Sequence, residues 1–119
     1  MIEASCHCGK VRLEVPRAPR MLLDCNCSIC RRYGGLWAYY KAGSLRLGFR
    51  RRDVDTYAWG DRLIRYIRCR HCGCTLYHER IKGTANSPIG VNARNFDPAA
   101  IAKARVRRFD GAKSWKYLD

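Results

Sequence analysis

The chain has 119 residues, of which 47% are hydrophobic, and a formal net charge of +14 at pH 7. This length is close to the common size of one domain, so we expect a single domain over residues 1–119. No stretch is long and apolar enough to predict a membrane span, and the first residues lack the apolar segment of a secretory signal. These features predict a cytoplasmic protein with no membrane partner, and they leave its oligomeric state open.

The hydrophobic pattern predicts a mainly β protein with little helix. Apolar and polar residues alternate over residues 11–15, which predicts a half-buried strand that Pro16 ends. Further short strands or apolar runs follow in chain order at residues 21–23, 37–40, 45–49, 56–59, 63–67, 75–78, 89–93 and 106–109. Gly60 and Asp61 predict a turn between two of these strands. Single helical turns are predicted at residues 28–33 and after Asp97-Pro98.

Seven of the eight cysteines fall into three tight clusters. The clusters are Cys6/Cys8, Cys25/Cys27/Cys30 and Cys69/Cys72. Four thiolates form a closed tetrahedral zinc site, whereas three leave one position open. The count of seven therefore predicts one closed site and one open site. Disulfide bonds and reduced core thiols are the alternatives, and a reducing compartment and the strained geometry of a bridge across C-x-C both disfavour disulfides.

The first and last clusters resemble each other because each is followed by a glycine. Cys6 and Cys8 precede Gly9, and Cys69 and Cys72 precede Gly73. Glycine frees the backbone to turn both sulfurs of a pair inward. We expect these four cysteines to hold one structural zinc ion that ties the start of the chain to its middle. Ordinary buried cysteines are the alternative.

The middle cluster places Cys25, Cys27 and Cys30 within six residues, so one short loop can supply three ligands to an open zinc site. The fourth position would be taken by water, a substrate thiol or another side chain. Cys74 is the main spare ligand, and its alternative role is that of a small apolar residue. The weaker spare ligands are His7, His71 and His78.

Positive charge next to the middle cluster predicts an anionic substrate. Arg31 and Arg32 directly follow Cys30 and could hold a substrate carboxylate by paired hydrogen bonds, although solvated arginines are the ordinary alternative. Other basic runs lie at residues 50–52 and 105–108. With seven thiolates on two zinc ions the net charge falls to about +11, which still predicts an anionic partner.

Four segments resemble the glutathione-dependent formaldehyde-activating enzyme (Gfa) family, also called the centromere protein V family. They are CHCGKVRLEV at 6–15, CNCSICRRYGG at 25–35, YIRCRHCGCTLYH at 66–78 and VNARNFDP at 91–98. The resemblance implies an Mss4-like (β-tent) zinc-binding fold of short antiparallel strands. It implies two zinc ions, a structural one on Cys6, Cys8, Cys69 and Cys72 and a catalytic one on Cys25, Cys27 and Cys30.

The same resemblance implies a carbon–sulfur lyase, which adds glutathione reversibly to formaldehyde to give S-hydroxymethylglutathione. The partner would then be a small anionic thiol such as glutathione. Zinc on the middle cluster would bind the thiolate or polarise the aldehyde oxygen. Tyr33, Tyr39 and His78 are the candidates for the general base.

The chain departs from the family pattern at two places. Cys74 follows the last cysteine pair where no ligand is expected, and Arg94 and Asn95-Phe96 stand where small or aliphatic residues are usual. The strong positive charge allows an alternative function, a basic zinc-stabilised module that binds nucleic acid or another acidic partner. Because the basic residues are spread along the chain and form no nucleic-acid-reading motif, we favour the enzyme. A zinc-fold interaction protein is the third possibility.

Overall fold

The computed structural model describes all residues from Met1 to Asp119 and contains ten strands and two short α-helices. The strands are β1 (Ile2–Ser5), β2 (Arg12–Val15), β3 (Met21–Cys25), β4 (Trp37–Lys41), β5 (Arg46–Gly48), β6 (Val54–Ala58), β7 (Ile64–Cys69), β8 (Thr75–Arg80), β9 (Pro88–Asn92) and β10 (Arg105–Phe109). The helices are α1 (Ser28–Tyr33) and α2 (Pro98–Ile101). The predicted mainly β, Mss4-like fold is confirmed. No helix is long and apolar enough to cross a bilayer.

The strands form two sheets, a small one in the order β1-β2-β5 and a large one in the order β10-β3-β4-β9-β8-β7-β6. All pairs within them are antiparallel except β10 and β3, which run parallel from Arg105 opposite Met21 to Phe109 opposite Cys25. The strands are thus antiparallel, as expected, except for this one pair at the edge of the large sheet. A parallel pair needs a long connection, and the chain between β3 and β10 supplies it. The pairing brings the residues after β10 next to Cys25.

The strand that the sequence pattern misses is β1. Its sequence, IEAS, shows no run of β-branched or aromatic residues. It is a strand because it pairs with β2, from Ile2 opposite Val15 to Ser5 opposite Arg12. Tertiary pairing thus supplies what local propensity does not, and it sets the position of the first cysteine pair, which follows directly.

The main core lies between the two sheets. Leu13 and Val15 of β2 are fully buried against Leu76 of β8 and Val91 of β9. Burial of each such side chain contributes about 1.5–3 kcal/mol. This core is continuous with the first and last cysteine pairs, because Cys6 and Cys69 belong to the same cluster of buried residues.

A second, smaller cluster lies on the outer face of the large sheet, which is the face turned away from the main core. Successive side chains of a strand point to opposite faces. In β7, Ile67 therefore joins the main core while Tyr66 joins the small cluster, and in β4 Ala38 and Trp37 divide in the same way. The small cluster also contains Cys25 and Cys30. The two groups of cysteines thus lie in separate environments of the fold.

Candidate metal centres

The structure brings Cys6, Cys8, Cys69 and Cys72 together, and we call these four residues the quartet. Their Sγ atoms all lie within 4.8 Å of one another. Cys8 Sγ is 3.6 Å from Cys6 Sγ and 3.6 Å from Cys69 Sγ. Four sulfurs around zinc at about 2.3 Å stand about 3.8 Å apart. The donor set and its spacing therefore fit a tetrahedral metal ion such as zinc.

Backbone N–H groups point at the quartet sulfurs. The N–H of Val11 donates to Cys6 Sγ at 3.3 Å, and the N–H of His71 donates to Cys69 Sγ at 3.4 Å. Burial opposes ionisation of Cys72, but backbone N–H groups and the neighbouring thiols outweigh it and lower the pKa of Cys72 to about 5. Such donors stabilise the thiolate form that a metal ion requires.

The structure also brings Cys25, Cys27 and Cys30 together, and we call these three the trio. Their Sγ atoms lie within 4.8 Å of one another, and no fourth histidine, cysteine or acidic ligand atom joins them. Cys25 ends β3, while Cys27 is the N-cap of α1 and accepts the Cys30 N–H at 3.5 Å. The helix ends at Tyr33 and is capped by Gly34, whose left-handed φ of 65° lets its N–H reach the Cys30 carbonyl. The predicted helical turn over residues 28–33 is confirmed, and it sets the third sulfur.

Cys25 and Cys30 of the trio differ in how readily they ionise. A hydrogen bond from Cys30 to Cys25 lowers the pKa of Cys25 to about 6, and the same contact raises the pKa of Cys30. Burial raises the pKa of Cys30 further. Cys25 therefore ionises more readily than Cys30.

The spare ligands considered from sequence do not reach the trio. Cys74 lies beside the quartet: the His7 backbone acts to lower the pKa of Cys74, but burial and the Cys72 side chain outweigh it and raise that pKa. His71 Nε2 lies 3.0 Å from Asp53 Oδ1, and His7 is exposed. His78 lies in the large sheet, and no histidine is a member of either cysteine group.

The arginines next to the trio have different partners. Arg32 Nη1 donates to the Ser28 carbonyl at 2.8 Å, so this guanidinium is partly engaged by its own helix. Arg31 is exposed and makes no side-chain hydrogen bond or ion pair within the protein. Arg94 Nε donates to the Gly34 carbonyl at 2.6 Å, which explains this departure from the family pattern as a contact that fixes the end of α1.

Tyr66 and Trp37 are site residues that the sequence did not reveal. Tyr66 Oη lies 3.9 Å from Cys30 Sγ, and burial together with the nearby thiolates raises the pKa of Tyr66, so the hydroxyl stays protonated at neutral pH. Trp37 is fully buried in the same cluster, and its Nε1 is the one buried side-chain nitrogen or oxygen without a hydrogen-bond partner. Both are positioned by β-sheet register, which no short motif encodes.

The three general-base candidates all lie on the outer face near Tyr66. His78 Nε2 lies 3.4 Å from Tyr39 Oη, and the ring centroids of Tyr33 and Tyr66 are 5.4 Å apart. Burial lowers the pKa of His78 to about 4, so its imidazole is neutral at pH 7. Burial raises the pKa of both Tyr33 and Tyr39. At neutral pH these groups are therefore hydrogen-bonding groups and not charged ones.

A turn after β10 closes over the trio, and we call residues 109–115 the C-terminal clasp. Asn26 Nδ2 donates to Asp110 Oδ1 at 3.0 Å, and Asn26 Oδ1 accepts the Ala112 N–H at 3.0 Å. The Asn26 N–H donates to the Phe109 carbonyl at 3.2 Å. These bonds hold Gly111 directly against the sulfurs, where a Cβ atom would lie 2.5 Å from Cys25 Sγ.

Replacing Gly111 with alanine is expected to weaken metal binding at the trio. The added methyl group would overlap Cys25 Sγ and lie 3.3 Å from Cys27 Cβ, so the sulfurs must move. We expect affinity for the second metal ion to fall by about 10–100-fold, the range for residues that orient metal ligands. Chelator competition on the loaded protein measures this loss.

The matched control for Gly111→Ala is Gly60→Ala. Gly60 has a left-handed φ of 61° and nothing within 4 Å of its Cβ position, so alanine there costs about 1 kcal/mol of stability without touching a sulfur. Equal chelator resistance of wild type and Gly111→Ala would show that the clasp does not shape the trio.

Comparisons with known proteins identify a matching family and a similar solved structure. Residues 1–111 match the family model described as glutathione-dependent formaldehyde-activating enzyme. A crystal structure of a Rhodobacter sphaeroides protein is similar, with 27% sequence identity and a TM-score of 0.72 over 88% of this chain and 99% of that one. Both cysteine groups lie within the matched residues. The chain belongs to the glutathione-dependent formaldehyde-activating enzyme family.

Proposed function

We propose that the protein is a zinc-dependent carbon–sulfur lyase that catalyses the reversible addition of glutathione, or a related small anionic thiol, to formaldehyde or another small aldehyde. The observation that carries the proposal is the contrast between the cysteine groups. The quartet supplies four ligand atoms, whereas the trio supplies three. A structural zinc on the quartet would be fully ligated by protein, and a zinc on the trio would have a coordination position for substrate.

The reaction joins two small molecules without an oxidant or a reductant. The thiol sulfur forms a bond to the carbonyl carbon, the C=O π bond opens, and the thiol proton ends on the former carbonyl oxygen. The reverse reaction breaks the S–C bond and returns the proton to sulfur. A zinc ion held by the trio, when bound, supplies a Lewis acid and lowers the pKa of a substrate thiol.

Side chains of the protein would assist at the oxygen and at the substrate carboxylates. Tyr66, protonated and 3.9 Å from Cys30 Sγ, is placed to donate a hydrogen bond to the oxygen on which charge develops. Arg31, which is exposed and has no partner in the protein, is available to bind a carboxylate of glutathione. Arg32 can contribute with the N–H groups that Ser28 does not engage.

The proposed function is tested by following exchange between formaldehyde and S-hydroxymethylglutathione with carbon-13 NMR. The zinc-loaded protein is expected to accelerate this exchange well above its rate without protein. Cys74→Ser, a change outside both cysteine groups, should keep the acceleration. An exchange rate equal to that of the protein-free mixture, at verified zinc loading, would overturn the proposal.

The proposal also implies a reducing compartment, because both cysteine groups must stay as free thiols and glutathione must be abundant. The cytoplasm meets both conditions. Nucleic-acid binding stays a prediction from net charge alone. Several basic side chains already pair with acidic ones, among them Arg65 with Glu79 at 2.7 Å and Arg68 with Asp55 at 2.9 Å. The enzyme is therefore the better-supported function.

A further inference from the structure

An aromatic row crosses the outer face of the large sheet beside the trio. Tyr57 of β6 pairs with Tyr66 of β7, and Tyr66 pairs with His78 of β8. Gly90 of β9 is the register partner of both His78 and Tyr39 of β4. Directly paired residues point to the same side of a sheet, so these four aromatic side chains form one line across five strands.

Gly90 brings the rings close together in the middle of the aromatic row. A Cβ atom at position 90 would lie 2.6 Å from His78 Cε1, so the imidazole occupies the space above this glycine. The His78 ring centroid is 5.4 Å from that of Tyr66 and 5.7 Å from that of Tyr39. These separations are typical of aromatic contacts, so the rings of Tyr66, His78 and Tyr39 pack against one another.

The aromatic row passes next to the trio and is open to solvent at its ends. Tyr66 Oη lies 3.9 Å from Cys30 Sγ. Tyr66 is only 6% exposed, whereas Tyr39 and Tyr57, at the two ends, are 43% and 41% exposed. Exposed aromatic surface beside a ligand site is typical of a binding surface, because rings gain much from being covered. A molecule held at the trio would lie against this surface.

Neither formaldehyde nor glutathione has a group that would cover the aromatic row. The formaldehyde carbon carries only hydrogen atoms, and glutathione contains no ring. An aldehyde with an aromatic substituent could keep its carbonyl carbon at the trio and place its ring on the row. Positive charge next to the trio suits the carboxylates of the thiol, since Arg31 is exposed and has no ion-pair partner.

We propose that the aromatic row binds an aromatic substituent on the aldehyde carbon, so that the protein prefers thiol adducts of aryl aldehydes to the adduct of formaldehyde. This inference rests on the proposed function for the reacting atoms. The bond changes are the same: sulfur joins the carbonyl carbon, and the thiol proton moves to the oxygen. The ring keeps all its bonds and contributes binding alone.

The test compares the binding of two stable glutathione thioethers to the zinc-loaded protein by titration calorimetry. S-benzylglutathione carries a ring on the carbon attached to sulfur, and S-methylglutathione does not. We expect the benzyl compound to bind about tenfold more tightly, as expected for aromatic contact plus ring burial. Tyr57→Thr removes one ring from the row, and threonine still suits a strand. This variant should reduce the preference for the benzyl compound to less than about threefold.

The matched control is Tyr117→Thr, which removes an equally exposed tyrosine that contacts Phe109 and lies outside the row. It should keep the preference. Equal affinity of the two thioethers for wild type, no binding of either, or an unchanged preference in Tyr57→Thr would overturn the inference. Catalysed formaldehyde exchange without a benzyl preference would leave the proposed function standing. A benzyl preference without any thiol–aldehyde exchange would leave the aromatic site standing and remove the proposed function.

Discussion

Cys69→Ser is expected to unfold the protein at physiological temperature. Cys69 Sγ is buried, lies 3.6 Å from Cys8 Sγ and accepts backbone N–H groups from His71 and Cys72. Cys6 directly follows β1 and Cys69 ends β7, and both belong to the main core. The quartet therefore joins the start of the chain to β7. A structural zinc site contributes about 10–16 kcal/mol, which matches or exceeds the whole stability of a small domain.

Circular dichroism and thermal melting, with elemental analysis of zinc, measure the effect of Cys69→Ser. Cys74→Ser is the matched control, because Cys74 is five residues away in the same loop region and belongs to neither cysteine group. The control removes no ligand of either cysteine group, so it should melt within a few degrees of wild type. A destabilisation of 1 kcal/mol lowers the melting temperature by about 4–8 °C. A cooperative, native-like transition in zinc-free Cys69→Ser would contradict a structural role for the quartet.

Cys27→Ser is expected to abolish activity and leave the fold intact, which is the second large effect. Cys27 is the N-cap of α1, and serine is among the best N-cap residues, so the helix should be retained. A serine hydroxyl, in contrast, is a poor zinc ligand compared with a thiolate. Loss of one of only three protein ligands should lower metal affinity and reduce the exchange rate by more than about 100-fold.

Zinc content and thermal melting of Cys27→Ser distinguish loss of the second metal ion from loss of the fold. We expect the bound zinc to fall from two ions to one and the melting temperature to change little. Gly111→Ala is the steric counterpart, because it disturbs the trio while keeping all three sulfurs, and it should give an intermediate loss. Equal unfolding of Cys27→Ser and Cys69→Ser would contradict the division between a structural and a reactive centre.

Local patterns explain which parts of this structure the sequence could predict. The alternation over residues 11–15, the glycine turn between β6 and β7 and the short helix after Cys27 all depend on neighbouring residues. The structure contains β2 at residues 12–15, the turn and the helix. β1 carries no such pattern and exists through its pairing with β2. The parallel pairing of β10 with β3 depends on residues more than eighty positions apart, which periodicity does not report.

The same distinction applies to the site. Closely spaced cysteines predict both metal centres, and the structure gathers them into the same two groups. Tyr66, Trp37 and Gly111 have no motif, because sheet register and the β10 pairing bring them to the trio. Spacing thus identifies ligands, whereas the residues that surround a metal centre follow from topology.

Because Asn26 is hydrogen-bonded to the C-terminal clasp, the surroundings of the trio are complete only after the end of the chain has been synthesised. The quartet can be completed earlier. All four quartet ligands have been made once the ribosome has passed residue 72. Asp110, Gly111 and Ala112, which cover the trio, emerge much later. A nascent chain can therefore close its first metal centre while the second still lacks one wall, so cotranslational folding has a metal-stabilised starting point before the reactive centre is complete.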